Sequence, residues 1–262
     1  MQVGGVDFLT MNLLATSFDL ANCRACASAS DDAYRMATVS VPETDTHCVV
    51  IDAGDCLVVA FRGTDSIRDW ITDAQFMRRV LMQFPNGERV EVHSGFLSAY
   101  NSILGPLTSK LRPFASRLIF VTGHSLGGAL AKLSALELQR QGFNIAQVYT
   151  FGQPRVGNGA FTRLYDAALG RSTFRVVHEE DIVPRVPHLP AFHDPYRHAG
   201  VEVFLSSFGG MLVNPPLLTL LASDAWGAYR AFLVSTFEAA LDPIYDHYLG
   251  NYTADLDALE EK

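Results

Sequence analysis

The sequence predicts one α/β domain over residues 1–262, with a mostly parallel central sheet, an antiparallel hairpin on its N-terminal side and helices on both faces. Three observations carry this. Hydrophobic residues make up 48% of the chain and charged residues 18%, ample apolar material for a core. Two β-rich runs, residues 48–52 and 56–62, flank Ala53-Gly54-Asp55, a hairpin signal. Beyond residue 62, helical and strand patterns alternate, which demands crossover connections and a parallel sheet covered on both sides. A length of 262 residues suits a single unit of this kind.

Taken in order, apolar residues at helical spacing cover residues 8–21, and a second such pattern leads to Tyr34. After the hairpin come a helix over 96–111, a strand at 118–122 and a long helix over 126–141. Strands follow at 148–151, 174–177 and 201–205, and a last helix falls near 225–240. The strands are almost continuously apolar, as burial on both faces requires. The proline-rich stretch 184–195 is interrupted by Val186, Leu189 and Phe192 and reads as an ordered loop.

A formal charge of −8 and a pI near 5.4 exclude a nucleic-acid partner, since the only basic doublet is Arg78-Arg79. The same balance weakens attraction to anionic membranes, so contact with lipid must rest on apolar surface. Residues 1–7 lack a basic segment and Asp7 interrupts the apolar run, so no signal peptide is expected and the chain reads as cytoplasmic or as a trimmed mature form of a secreted protein. The apolar stretch 203–213 is shorter than the ~20 residues a membrane-spanning helix needs. Of the four cysteines, Cys23 and Cys26 are close, but Cys48 and Cys56 straddle the hairpin. A four-thiolate metal site needs two close pairs, so neither metal nor cofactor is expected. The thiols read as small apolar side chains, with room for one disulfide.

The chemistry centres on Gly123-His124-Ser125-Leu126-Gly127, which follows the strand at 118–122 and opens the helix at 126. Gly-x-Ser-x-Gly in that context is a nucleophile elbow: a tight turn lifts the serine hydroxyl above the sheet and sets it at a helix N-terminus. Serine needs a histidine base and a carboxylate to orient it, in the chain order Ser, acid, His for this fold. Just past the strand at 174–177, Asp181 is the preferred acid over Glu179 and Glu180. Five histidines lie downstream: His178, His188, His193, His198 and His247. His178 is close in sequence to Asp181; His188, His193 and His198 sit in the proline-rich loop or at the next strand. His247 follows the last helix, in a loop that can bring it to the serine.

From about residue 48 to residue 252 these segments resemble the class 3 lipases, a branch of the α/β-hydrolases. The resemblance lies in Phe61-Arg62-Gly63-Thr64, Val92-His93-Ser94-Gly95-Phe96, the elbow, Thr150-Phe151-Gly152-Gln153-Pro154-Arg155-Val156-Gly157, Asp181-Ile182-Val183-Pro184-Arg185-Val186-Pro187 and Tyr196-Arg197-His198-Ala199-Gly200-Val201-Glu202. It implies Ser125 as nucleophile, Asp181 as acid and His247 as base, and it excludes His198. It also implies an oxyanion hole of the backbone N–H groups of Leu126 and Thr64. After Thr64 the family carries a lid; here residues 65–82 place Ile67, Trp70, Ile71, Ala74, Met77 and Leu81 on one helical face. That face suits a lid laid on lipid, with Ile67, Trp70 and Ile71 touching substrate, and equally a helix docked permanently on the core.

The expected activity is cofactor-free hydrolysis of acyl esters, as by a triacylglycerol lipase or esterase, on a lipid or other acyl ester substrate at a lipid–water interface. Phospholipase A1, feruloyl esterase and mono- or diacylglycerol lipase share the implied scaffold, and a catalytically silent lipase-like interaction module is the reading from another class. Phe204, Phe208, Met211, Leu212, Leu217 and Leu218 suit either an acyl pocket or the core.

Overall fold

The computed structural model describes residues 2–3, 6–7, 35–63, 78–178, 181–187, 195–206, 210–215, 251–254 and 256. Strands β1 (Gln2–Val3) and β2 (Val6–Asp7) form a short antiparallel pair. The central sheet uses β3 (Arg35–Val41), β4 (Thr46–Asp52), β5 (Cys56–Phe61), β8 (Leu118–His124), β9 (Asn144–Phe151), β10 (Thr173–His178), β11 (Val201–Ser206) and β12 (Gly210–Val213). Between β5 and β8 lie β6 (Arg78–Gln83) and β7 (Arg89–His93), a separate antiparallel ribbon.

The sheet order is β12-β11-β10-β9-β8-β5-β4-β3. Pairings from β5 through β8, β9 and β10 to β11 are parallel, while β3, β4 and β12 add antiparallel edges. This is the α/β-hydrolase architecture expected. The predicted hairpin is β4–β5, with β3 as a further strand on it; within the apolar stretch 203–213, β11 and β12 pair antiparallel.

Helices α1 (Ser94–Leu111), α2 (Leu126–Arg140) and α3 (Gly159–Leu169) connect the strands. One core joins Val59, Val121 and Val148 of the sheet to Phe96 and Ile103 of α1, Leu130 and Leu133 of α2 and Phe161 of α3. On the other face Ala60, Tyr149, Phe151 and Val176 pack with Tyr252 and Leu256. Phe204 is buried in β11, Met211 packs against the second core and Leu212 is 39% exposed. Phe204 and Met211 therefore serve as core, the second of the two uses the sequence allowed.

The helical reading of residues 65–82 fails at its end: Arg78–Gln83 is a strand, so Leu81 is not on a helix. The Pro85-Asn86-Gly87 turn, closed by Phe84 N–H to the Glu88 carbonyl at 2.9 Å, folds this segment back on β7. The pairing register shifts between Val80 and Met82, so Leu81 occupies a bulge and turns toward the first core. The expected helices at 8–21, before Tyr34 and at 225–240, and the remainder of the lid segment at 65–77, lie outside the described residues.

Candidate active site

Strand β8 ends at His124 and α2 begins at Leu126, leaving Ser125 alone to make the turn. Its backbone adopts φ 55° and ψ −127°, a conformation that costs a non-glycine residue about 1–3 kcal/mol. The surroundings enforce it. Ser125 N–H donates to the Phe151 carbonyl at 2.9 Å, and Gly128 N–H donates to the Ser125 carbonyl at 3.0 Å. The turn is so tight that a Cβ on Gly123 would stand 2.3 Å from the Gly127 oxygen, and one on Gly127 2.3 Å from the Phe61 oxygen. Both glycines are therefore steric requirements of the elbow. Ser125 is buried, and the positive end of the 15-residue α2 points at it.

Asp181 follows β10 by three residues and is fully buried. Its Oδ1 accepts from Val183 N–H at 2.8 Å and its Oδ2 from the Tyr252 hydroxyl at 2.5 Å, the short distance of a charge-assisted bond. Asp181 N–H donates to the His178 carbonyl at 2.9 Å. The Tyr252 hydroxyl in turn accepts from His178 N–H at 3.1 Å, so one buried phenol binds both the carboxylate and the end of β10. The Tyr252 ring meets His124 edge-on at 5.9 Å and Phe151 edge-on at 6.1 Å. Phe151 holds the Ser125 N–H, so Tyr252 couples the elbow to the carboxylate. Ser125 and Asp181 thus stand at the C-terminal edge of the parallel strands β8 and β10, where open α/β sheets present their functional loops.

Leu126 occupies the first position of α2, where its main chain faces the same turn. His247, Thr64, Ile67, Trp70 and Ile71 lie outside the described residues, as do His188 and His193. Other histidines have different settings. His198 donates from Nε2 to the Pro184 carbonyl at 2.7 Å; burial, reinforced by the charges of Arg175 and Lys132, holds it well below the usual imidazole range. His93 caps α1, accepting Gly95 N–H at Nδ1, and burial lowers it to about 4. Cys48 and Cys56 are free thiols, and among the described residues no group of three or more His, Cys, Asp or Glu could hold a metal ion.

Sequence reasoning missed Tyr252. The only available signal was its place five residues after His247. It also missed Lys132, buried in α2, whose Nζ donates to the Ala199 carbonyl at 2.5 Å and lies 4.8 Å from the Tyr165 ring centre.

The strained serine between a parallel strand and a helix, and the buried carboxylate two strands along the sheet, are carried by an α/β-hydrolase fold. Residues 58–190 match the family model for lipase (class 3), and the chain belongs to that family. It is 36% identical over 195 residues to a lipase of Rhizomucor miehei, covering 71% of this chain and 52% of that one. It is 29% identical over 202 residues to secreted mono- and diacylglycerol lipase A of Penicillium cyclopium, covering 76% and 64%. A solved triacylglycerol lipase, whose catalytic centre is a serine protease triad, superposes with a TM-score of 0.63 at 31% identity, over 75% of this chain and 79% of that one. The chain thus spans from about half to under two thirds of the length of these two curated relatives.

Proposed function

We propose that the chain hydrolyses carboxylic esters of acylglycerols through an acyl-enzyme. Ser125 attacks the ester carbonyl, His247 takes its proton and returns it to the leaving alcohol, and Asp181 steadies the imidazolium. Water then enters by the same route and releases the fatty acid. The backbone N–H groups of Leu126 and Thr64 receive the oxyanion; removal of one such donor costs on the order of 3 kcal/mol in the transition state.

The observation that carries this reading is the strained Ser125 turn, held by Phe151 and Gly128 and tied through Tyr252 to a buried Asp181. Ser125 pairs φ 55° with ψ −127°, away from the left-handed region in which Asp45 sits, and backbone strain of this kind clusters at active sites. Family membership and the named activities of the relatives support acylglycerols over other esters. We place the substrate at a lipid–water interface, with Ile67, Trp70 and Ile71 of the segment after Thr64 forming its cover.

The test is labelling by a fluorophosphonate probe together with hydrolysis of a short-to-long acyl ester series, with and without an interface. Ser125→Ala should abolish both labelling and turnover. Full p-nitrophenyl ester hydrolysis by that variant would overturn the proposal, and an unlabelled wild-type Ser125 would favour a lipase-like binding module.

A further inference from the structure

Where β3 meets β4, four side chains form a chain of hydrogen bonds outside the Ser125 site. Ser40 Oγ lies 2.6 Å from His47 Nδ1, and His47 Nε2 lies 3.0 Å from Asp45 Oδ1. The same carboxylate oxygen accepts from Arg62 Nη2 at 2.7 Å. Asp45 sits at φ 47° at the close of a short turn, where its N–H donates to the Pro42 carbonyl. Its partial burial works to raise the carboxyl, but the hydrogen bonds from Arg62 and His47 outweigh this and hold it below the usual carboxylate range.

The far end of this chain of bonds reaches the elbow. Arg62 is anchored by its main chain as well, since its N–H donates to the His47 carbonyl at 3.0 Å. Its own carbonyl is pressed so closely to α2 that a Cβ on Gly127 would stand 2.8 Å from it. At the next residue, a Cβ on Gly63 would stand 3.1 Å from the His124 oxygen and 3.6 Å from Ser125 Cβ. The stretch Arg62-Gly63 is therefore wedged against the nucleophile turn on one side and tied to Asp45 on the other. Thr64 follows directly.

We propose that Asp45 is a positioning residue for the active site: by gripping the Arg62 guanidinium, with His47 and Ser40 bracing its carboxylate, it fixes the Arg62-Gly63 stretch against the Ser125 turn, the stretch of chain that leads into Thr64. This rests on the ester-hydrolase reading above. Oxyanion donors must be held within about 0.5 Å of their productive place, a demand that a charge-assisted bond to a mostly buried guanidinium can meet. The Asp45 side chain is 76% exposed, and an ion pair this open adds little to global stability. Its loss should therefore register in turnover rather than in folding.

The experiment measures kcat and KM on a water-soluble short-chain ester, per active site counted by fluorophosphonate titration. Asp45→Asn should lower kcat about tenfold with KM within about twofold, and Asp45→Glu should recover most of the loss. In an Arg62→Met background, Asp45→Asn should add less than about twofold, because the two residues act as one unit. Unchanged kcat, a loss confined to KM or to the count of active sites, or full additivity with Arg62→Met would each overturn the positioning role. Should Asp45→Asn fail to fold, His47→Asn leaves the Asp45–Arg62 pair and removes only its brace. That variant should lower kcat about two- to fourfold, and no change overturns the role. Wild-type turnover that survives Ser125→Ala overturns the hydrolase reading itself, a result distinct from any of these.

Discussion

Tyr252→Phe removes one hydroxyl and keeps the ring against His124, Phe151 and His178. The hydroxyl donates to Asp181 Oδ2 and accepts from His178 N–H, with the carboxylate and the phenol both fully buried. A bond to a charged partner contributes about 1.5–3 kcal/mol, and a buried N–H stripped of its acceptor costs about 1 kcal/mol or more. The expected loss is about 3–4 kcal/mol, which for a chain of this size lowers Tm by about 6–16 °C. If half of it is expressed at the reacting centre, kcat falls about 10- to 30-fold. Thermal melts and ester turnover of wild type, Tyr252→Phe, Asp181→Asn and the double variant would measure this. The cost of Tyr252→Phe should shrink in the Asp181→Asn background, because the charged acceptor is already gone. A Tm within about 2 °C of wild type, or costs in the two backgrounds that agree within about 0.5 kcal/mol, would show that the hydroxyl does not hold the carboxylate.

Two further predictions concern buried titratable groups. His93 is neutral in the fold with its range lowered to about 4, whereas an unfolded histidine binds a proton below about 6.5. Between those values the unfolded chain holds more protons, so stability falls as pH drops, by up to about 1.4 kcal/mol per pH unit. His93→Asn keeps a cap acceptor for Gly95 N–H and should flatten that fall in urea melts; parallel wild-type and variant curves would contradict it. Burial, with Arg175 adding to it and Asp166 opposing, holds Lys132 well below the usual amine range. The unfolded chain therefore binds the extra proton below about 10.4, and the Lys132 contribution grows more favourable as pH rises toward that value. Relative to wild type, Lys132→Met should look most stable at neutral pH and lose that advantage toward pH of about 10. An advantage that does not change with pH would contradict this.

What the sequence disclosed, and what it hid, follows the reach of each interaction. The elbow was legible because its demands are local: a side chain at Gly123 would collide with the Gly127 backbone four residues on. The sheet was legible from β5 through β8, β9 and β10 to β11 because strands buried on both faces are mostly apolar. Asp181 could be placed because it stands just beyond a readable strand. Tyr252 could not, since its partner lies 71 residues away and nothing in the spacing of a tyrosine predicts a carboxylate there. The same holds for Lys132 and the Ala199 carbonyl, 67 residues apart, and for Asn158, which caps α3 and also accepts from Glu91 N–H.

Leu81 marks a different kind of limit, because there the local signal was present and pointed the wrong way. Leu81 falls at helical spacing from Met77 and Ala74, yet the Pro85-Asn86-Gly87 turn brings β7 alongside and the strand ladder prevails. A bulge then lets one extra residue face the core, so the run loses the strict alternation by which a strand is recognised. Hydrophobic period reports which residues seek the interior, and a bulged strand can satisfy a helical period at a single point. The turn is the better witness, since Gly87 at φ 88° needs a residue without a side chain and that need can be read before any packing is known. The Arg62-Gly63 stretch combines both lessons: its glycine is visible as part of a motif, while the Asp45 grip that we propose positions it depends on a pairing of β3, β4 and β5 that no single window contains.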